Sequence, residues 1–240
     1  MSNIGELQGR VVLVTGGNRG IGLACARAFE AQGDRVAITY RSKPVEGLFS
    51  LECDVTNTEQ VDATFATIEE RWGPVEVLVA NAGMTKDQLM LRMTEDSFKD
   101  VIDTNLTGAW RVTKRATPGM LKARGGRLIY MSSVIGYYGG PGQVNYAASK
   151  AGLIGMARSL AREFGSRGIT ANVVAPGAVQ TEMLDALSGA QRDALVAGVP
   201  LGRVAAPEEV ASAVTFLASP EAAYITGVVL PIDGGLAMGN

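Results

Sequence analysis

The chain has no histidine among its 240 residues. That gap removes the side chain that most often moves protons near neutral pH and most often binds metal ions. Proton transfer must then fall to Tyr, Lys, Asp, Glu or Cys, and no metal is expected. Cysteine is almost as scarce: Cys25 and Cys53 are the only two. Two are too few for a disulfide framework and lack zinc-ligand spacing, so both read as buried packing thiols in a reducing cytoplasm. No stretch approaches the roughly 18 uninterrupted apolar residues of a membrane span. The start, Met1-Ser-Asn-Ile-Gly-Glu6, lacks the basic-then-apolar pattern of a signal peptide. Neither sign of charge is in excess: 22 Lys and Arg against 24 Asp and Glu leave a net charge of -2. That balance gives no global reason for nucleic-acid or membrane binding.

What is present is the alternation of a βαβ chain. Apolar, β-branched runs at Val11–Thr15, Val36–Tyr40, Leu48–Asp54, Val75–Ala80, Arg127–Ser132, Thr170–Ala175 and Val228–Ile232 read as strands. Helical patterns fall between them at Ile21–Gln32, Glu59–Trp72, Glu95–Lys122, Asn145–Ser166 and Pro207–Ser219. With no internal repeat and no proline-rich linker, residues 1–240 read as one α/β domain. The connection Arg41–Gly47 is too short for a standard crossover, so the second and third strands are expected to be joined without a helix. The irregular stretch 182–199 follows a strand end and is a candidate substrate lid.

Thr15-Gly-Gly-Asn-Arg-Gly-Ile-Gly22 follows the first strand directly and opens a helix, the context a dinucleotide fingerprint requires. Gly16 lets the chain turn, Gly20 lets backbone approach a pyrophosphate, and Gly22 permits close helix packing, with Asn18, Arg19 and Ile21 completing the loop. An acid that would hold a ribose 2'-hydroxyl is missing from the end of the second strand, where Tyr40 and Arg41 stand instead. Arg19 and Arg41 suit a 2'-phosphate, so NADPH is predicted over NADH. Asp54, with Val55 beside it, is placed to meet the adenine amino group or to cap the following helix. Asn81-Ala82-Gly83 ends the fourth strand where the nucleoside is expected.

Tyr146 and Lys150 are four residues apart and lie on one helix face, where a phenol and an ammonium can serve one reacting carbonyl. On spacing alone such a pair is ordinarily a solvated surface. Ser133 precedes Tyr146 by thirteen positions and stands past the carboxyl end of a strand. Its neighbour Ser132 must face the other way, because successive strand side chains alternate.

With the glycine loop, Asn81-Ala-Gly83, Asn105, Ser133 and Tyr146-x-x-x-Lys150 in this order, the chain resembles the short-chain dehydrogenase/reductase family along nearly its whole length. Asn105-Leu-Thr-Gly108, Gly142-Gln-Val-Asn-Tyr146, Ala175-Pro-Gly177 with Thr181, and Ile232-Asp-Gly-Gly235 are similar to its bacterial β-ketoacyl-acyl-carrier-protein reductases. The short Arg41–Gly47 connection resembles the mycolic-type, long-chain elongation branch. The expected fold is then a single Rossmann-like doubly wound domain, a seven-stranded parallel sheet in the order 3-2-1-4-5-6-7 with helices on both faces.

Several roles follow from the resemblance. Tyr146 protonates the oxygen of a ketone receiving hydride, Ser133 orients it, and Lys150 lowers the pKa of Tyr146 and holds the nicotinamide ribose. Asn105 holds a water beside Lys150, while Pro176, Gly177, Val179 and Thr181 hold the nicotinamide. Met183 and Leu184 are candidate acyl-chain contacts, and Arg124 and Arg167 match positions that contact acyl carrier protein. A homotetramer built through helices 95–122 and 145–166 is implied. The function expected is NADPH-dependent reduction of a 3-oxoacyl group on acyl carrier protein in fatty-acid elongation. The alternatives are reduction of a CoA ester, sugar or steroid ketone, and a dinucleotide-binding regulator without turnover.

Overall fold

The computed structural model describes residues 9–185 and 189–239. Seven parallel strands form one sheet: β1 (Val11–Val14), β2 (Arg35–Tyr40), β3 (Phe49–Glu52), β4 (Val77–Ala80), β5 (Gly126–Met131), β6 (Ile169–Pro176) and β7 (Val229–Ile232). Their order, β3-β2-β1-β4-β5-β6-β7, is the one expected. Every residue of β1 and β4 is buried, which explains why these strands read as unbroken apolar runs: a parallel sheet is covered on both faces. The order reverses between β1 and β4, and ligands of open α/β sheets bind outside the carboxyl ends of the strands at that point.

Helices α1 (Gly20–Ala31) and α9 (Pro207–Ala218) cover one face, where Phe29, Ile38, Val79 and Val214 form a core. On the other face α2 (Thr58–Trp72), α4 (Gly108–Ala123) and α6 (Val144–Phe164) bury Phe65, Ile68, Met120, Tyr130 and Leu153. Burying one such side chain is worth roughly 1.5–3 kcal/mol. An exposed pair such as Lys99 with Glu95 contributes only ~0.3–0.5 kcal/mol, so apolar cover sets the helix positions.

Several expectations can be set against the structure here. The connection from β2 to β3 carries no helix; Arg27 holds it by donating to the Glu46 carbonyl at 2.9 Å, while Val45 and Leu48 pack under it. The single helix expected over 95–122 is two, α3 (Glu95–Ile102) and α4, joined by a π turn at 103–107. The wider turn sits where Gly108 lies against Val55, so close that a Cβ would come within 2.7 Å of the valine methyl. Asp54 does not cap α2: Asn57 does, accepting the Gln60 N–H at 2.9 Å. Asp54 instead shapes the turn before it, taking the Thr56 N–H and hydroxyl at 2.9 and 2.8 Å. In the segment expected as a lid, α7 (Glu182–Asp185) and α8 (Gly189–Ala197) are helical, and 186–188 lie outside the described residues. Short helix α5 (Ile135–Tyr138) follows β5.

The Asn57 cap offers a direct check on this assignment. Asn57→Ala is expected to lower unfolding free energy by about 1 kcal/mol, read as a lower urea midpoint with an unchanged slope.

Candidate active site

The site is built at the carboxyl ends of β1, β4, β5 and β6. After β1 the glycine loop is braced from β4: the Thr15 hydroxyl accepts the N–H groups of Asn81 and Ala82, both at 3.0 Å. Asn81 Nδ2 donates to the carbonyls of Thr15 and Gly16, each at 3.0 Å. Gly16 has φ +62, the left-handed region that favours glycine. A Cβ on Gly22 would lie 2.4 Å from the Gly16 carbonyl and 2.5 Å from Asn81 Nδ2, so the close packing expected there admits no other residue. Helix α1 starts with no side-chain cap and no acid in its first turn. Its leading N–H groups, from Gly20, Ile21 and Gly22, are therefore free of side-chain anions, and the cradle fits a pyrophosphate.

Arg19 pairs with Glu182 of α7, and both side chains are exposed, at 67% and 69%. Arg41 stands 3.7 Å from Asp54 with its guanidinium mostly in solvent. Burial works against ionising Asp54, but the Thr56 bonds and the Arg41 charge outweigh it and hold the carboxyl below its ordinary range. Asn18 Nδ2 reaches the Lys43 carbonyl at 3.4 Å, joining loop and connection. Val55 is buried, and its carbonyl accepts from Arg111 at 3.3 Å.

The acid–base cluster lies one strand over. Lys150 is 4% exposed, and its Nζ donates to the Met131 carbonyl at the end of β5, at 2.7 Å. In return Ser132 Oγ donates to the Lys150 carbonyl at 2.9 Å, so Ser132 faces α6 and Ser133 faces the site, as strand alternation requires. The Ser133 hydroxyl accepts the Ile135 N–H at 3.2 Å and lies near enough to the Tyr146 phenol to favour its ionised form. Lys150 Nζ is 5.5 Å from the centre of the Tyr146 ring. Burial pushes Tyr146 up to about 12 against the favourable bond from Ser133, and burial pushes Lys150 down to about 8. Two desolvated groups each resist their charged form more than the pair compensates.

Asn105 sits in the π turn and is 1% exposed. Its Oδ1 accepts the Met84 N–H at 2.8 Å, and its Nδ2 donates to the Met84 carbonyl and to Ser149 Oγ, both at 3.0 Å. A Cβ on Gly83 would meet Asn105 Oδ1 at 3.2 Å and Lys150 Nζ at 3.5 Å, so these three residues converge. On the far side Gly177 N–H bonds Ile232 O at 3.0 Å, and Pro176 O accepts the Val134 N–H at 3.0 Å. Val179 pairs with Ala205 through its neighbours, Ala178 O and Gln180 N–H, which spends none of the polar atoms of Val179 itself. Thr181 Oγ1 reaches the Val179 carbonyl at 3.4 Å, and Leu184 is buried; the side chain of Met183 lies outside the described residues. Arg124 and Arg167 are not in this cluster. Each precedes the start of a strand, β5 or β6, so both turns sit at the amino ends of the strands, opposite the site.

Sequence reasoning missed Thr15, Ser149, Asp87 and Gln143, which hold others in place. Gln143 Nε2 donates to Asp87 Oδ2 at 2.8 Å, and Ser149 Oγ donates to the Tyr146 carbonyl at 2.7 Å. Ser149 lies inside the Tyr146-x-x-x-Lys150 motif, and its position one turn from Tyr146 was the available signal. Nothing in the sequence pairs Asp87 with Gln143.

A glycine cradle on a parallel sheet, with serine, tyrosine and lysine gathered at the neighbouring strand end, defines a dinucleotide-dependent oxidoreductase site. The chain belongs to the short-chain dehydrogenase/reductase family, which uses a nicotinamide dinucleotide: residues 16–237 match the family model described as enoyl-(acyl carrier protein) reductase. It is 55% identical over 232 residues to the 3-oxoacyl-[acyl-carrier-protein] reductase MabA of Mycobacterium avium, covering 96% of this chain and 91% of that one. With MabA of Mycobacterium tuberculosis strain H37Rv the identity is 53%, covering 96% and 94%. With the 3-oxoacyl-[acyl-carrier-protein] reductase FabG of Vibrio harveyi it is 47% over 242 residues, covering 97% and 99%. Among the described residues no helix is long and apolar enough to cross a membrane.

Asn105→Ala tests the brace. It strips Met84 of two partners, and a loss of about 1–3 kcal/mol is expected. Urea unfolding reads it; an unchanged midpoint would show that the amide is not structural.

Proposed function

We propose that the chain reduces 3-oxoacyl groups carried on acyl carrier protein to 3-hydroxyacyl groups, using NADPH, as a step in fatty-acid elongation. The observation that carries this reading is the meeting of the Ser133 and Tyr146 hydroxyls at the end of β5 with Lys150 packed behind them. The names of the relatives support the substrate. When bound, the cofactor supplies a hydride to the ketone carbon. The residues then act on the oxygen. Ser133 donates a hydrogen bond that orients it and stabilises charge as it develops. Tyr146 gives it a proton. A phenol held near 12 is fully protonated at neutral pH, and an alkoxide is the far stronger base, so the transfer needs no prior acidification. Lys150 then stabilises the phenolate that is left, a role open to an ammonium 5.5 Å from the ring centre. Asn105, beside Lys150, is taken to hold a water that returns a proton.

The preference for NADPH rests on Arg19 and Arg41 with no acid at the end of β2. Asp54 and Val55, Asn81 to Gly83, and Pro176 to Thr181 are assigned to the adenine, nucleoside and nicotinamide ends by their places along the sheet edge. Leu184 and Met183 are assigned to the acyl chain. The same reading takes the enzyme to be cytoplasmic and residues 1–240 to be one reductase domain with 182–199 as its lid. It also takes the chain to be a homotetramer. A groove of about 290 Å³ between α4 and α6, beside half-exposed Trp110, supports those helices as the assembly surface. Arg124 and Arg167 remain the proposed carrier contacts. They lie at the end of the sheet opposite Ser133, so a carrier docked there is taken to serve the site of another copy of the proposed tetramer.

NADPH absorbance should fall when acetoacetyl-CoA is added and stay level with crotonyl-CoA, and NADH should support a lower kcat/KM. Tyr146→Phe should bind NADPH but lose turnover by about 100-fold or more. Turnover of crotonyl-CoA alone would favour an enoyl substrate instead. Reversing the charge of Arg124 and Arg167 together should impair reduction of carrier-borne substrate and spare acetoacetyl-CoA; equal effects on both would remove the docking role.

A further inference from the structure

Arg19, the loop residue assigned to a 2'-phosphate, already holds a carboxylate. Its Nη1 donates to Glu182 Oε2 at 2.5 Å, and among the described residues its guanidinium makes no other bond. The second arginine of that assignment is paired as well, Arg41 with Asp54 at 3.7 Å. The adenosine end of the cradle therefore meets an incoming phosphate with two ion pairs and not with two unpaired cations.

Attraction to Arg19 is not what brings the carboxylate there. The chain that carries it leaves β6 and is tied by its main chain before Glu182 is reached. Ala205 N–H donates to the Ala178 carbonyl and Gln180 N–H donates to the Ala205 carbonyl, both at 2.9 Å. Thr181 then lies against the glycine loop, where a Cβ on Gly20 would meet its methyl at 3.3 Å. Leu184 N–H returns to the Thr181 carbonyl at 2.8 Å and closes the turn that bears Glu182. Arg192, a second cation of the same stretch, is engaged by Gln180 instead.

We propose that Glu182 is a specificity-determining residue that opposes binding of the 2'-phosphate: it occupies Arg19, and its charge repels the group that would take its place. The proposal rests on the assignment of Arg19 to that phosphate. Both side chains are mostly exposed, so water screens the pair and a phosphate displaces the carboxylate at modest cost. A cofactor without the 2'-phosphate leaves the pair intact and is indifferent to it. Glu182 therefore acts on the choice between NADPH and NADH, lowering the preference that two unpaired arginines would give.

The test is direct binding without turnover. NADPH and NADH are titrated onto wild type and Glu182→Gln at low salt, followed by nucleotide fluorescence. Glutamine keeps the size and an acceptor oxygen of the side chain and loses the charge. In Glu182→Gln the dissociation constant for NADPH is expected to fall about 3-fold, the scale of one exposed ion pair, while that for NADH stays in place. High salt shrinks the gain, and so does an Arg19→Gln background. Unchanged NADPH binding overturns the proposal. Weaker NADPH binding does so too, since Glu182 would then be orienting Arg19 toward the phosphate. An equal gain for both cofactors also overturns it, because that is an effect on the loop and not on the phosphate. If wild type binds NADH as tightly as NADPH, the preference for NADPH in the proposed function fails instead. Glu182→Gln still decides the role of Glu182 in that case: a gain confined to NADPH upholds it, and no gain overturns it.

Discussion

A buried ammonium sets the geometry of this molecule. Removing a lysine from water costs several kcal/mol, and leaving it unpaired is worse. Lys150 recovers part of that cost through one short bond to the carbonyl that ends β5. Ser132 closes the link in the other direction, onto the main chain of Lys150 itself. Two crossed bonds at one residue pin α6 to the edge of the sheet. Tyr146, one turn earlier, is thereby carried to the hydroxyl of Ser133, which leaves the same strand.

The second half of the site depends on the strand next door. Thr15 and Asn81 lace the glycine loop to the end of β4, and the chain beyond β4 runs through Gly83 to Met84, where Asn105 grips both polar atoms of the main chain. Gly83 is the meeting point, with room for no bulky side chain between Asn105 and Lys150. The cradle for a dinucleotide and the acid–base cluster are thus parts of one hydrogen-bonded framework. A change at the π turn should be felt at both.

Much of this was legible in the sequence because its signals are local. Unbroken apolar runs such as Val11–Val14 report cover on both faces of a strand, and the glycine spacing reports a turn followed by a helix. Tyr146 and Lys150 share a face because the helix repeat dictates it. What escaped depends on partners far apart in the chain. The π turn arises where Gly108 packs on Val55, more than fifty residues away. The clasp of Asp87 and Gln143 spans 56 residues, and neither residue type announces it. The burial that raises the Tyr146 phenol was not legible for a related reason: charge spacing is visible in a sequence, and desolvation is not.

Desolvation of Lys150 is consequently the claim on which the account stands. Nuclear magnetic resonance titration of its ε-methylene, assigned by comparison with Lys150→Met, measures it in the cofactor-free chain. The account predicts a midpoint near 8, with the ammonium pinned and dry. A midpoint at the ordinary lysine value of about 10.4 would mean that Nζ is solvated, that α6 is not fastened to β5 in this way, and that the placement of Tyr146 has another cause.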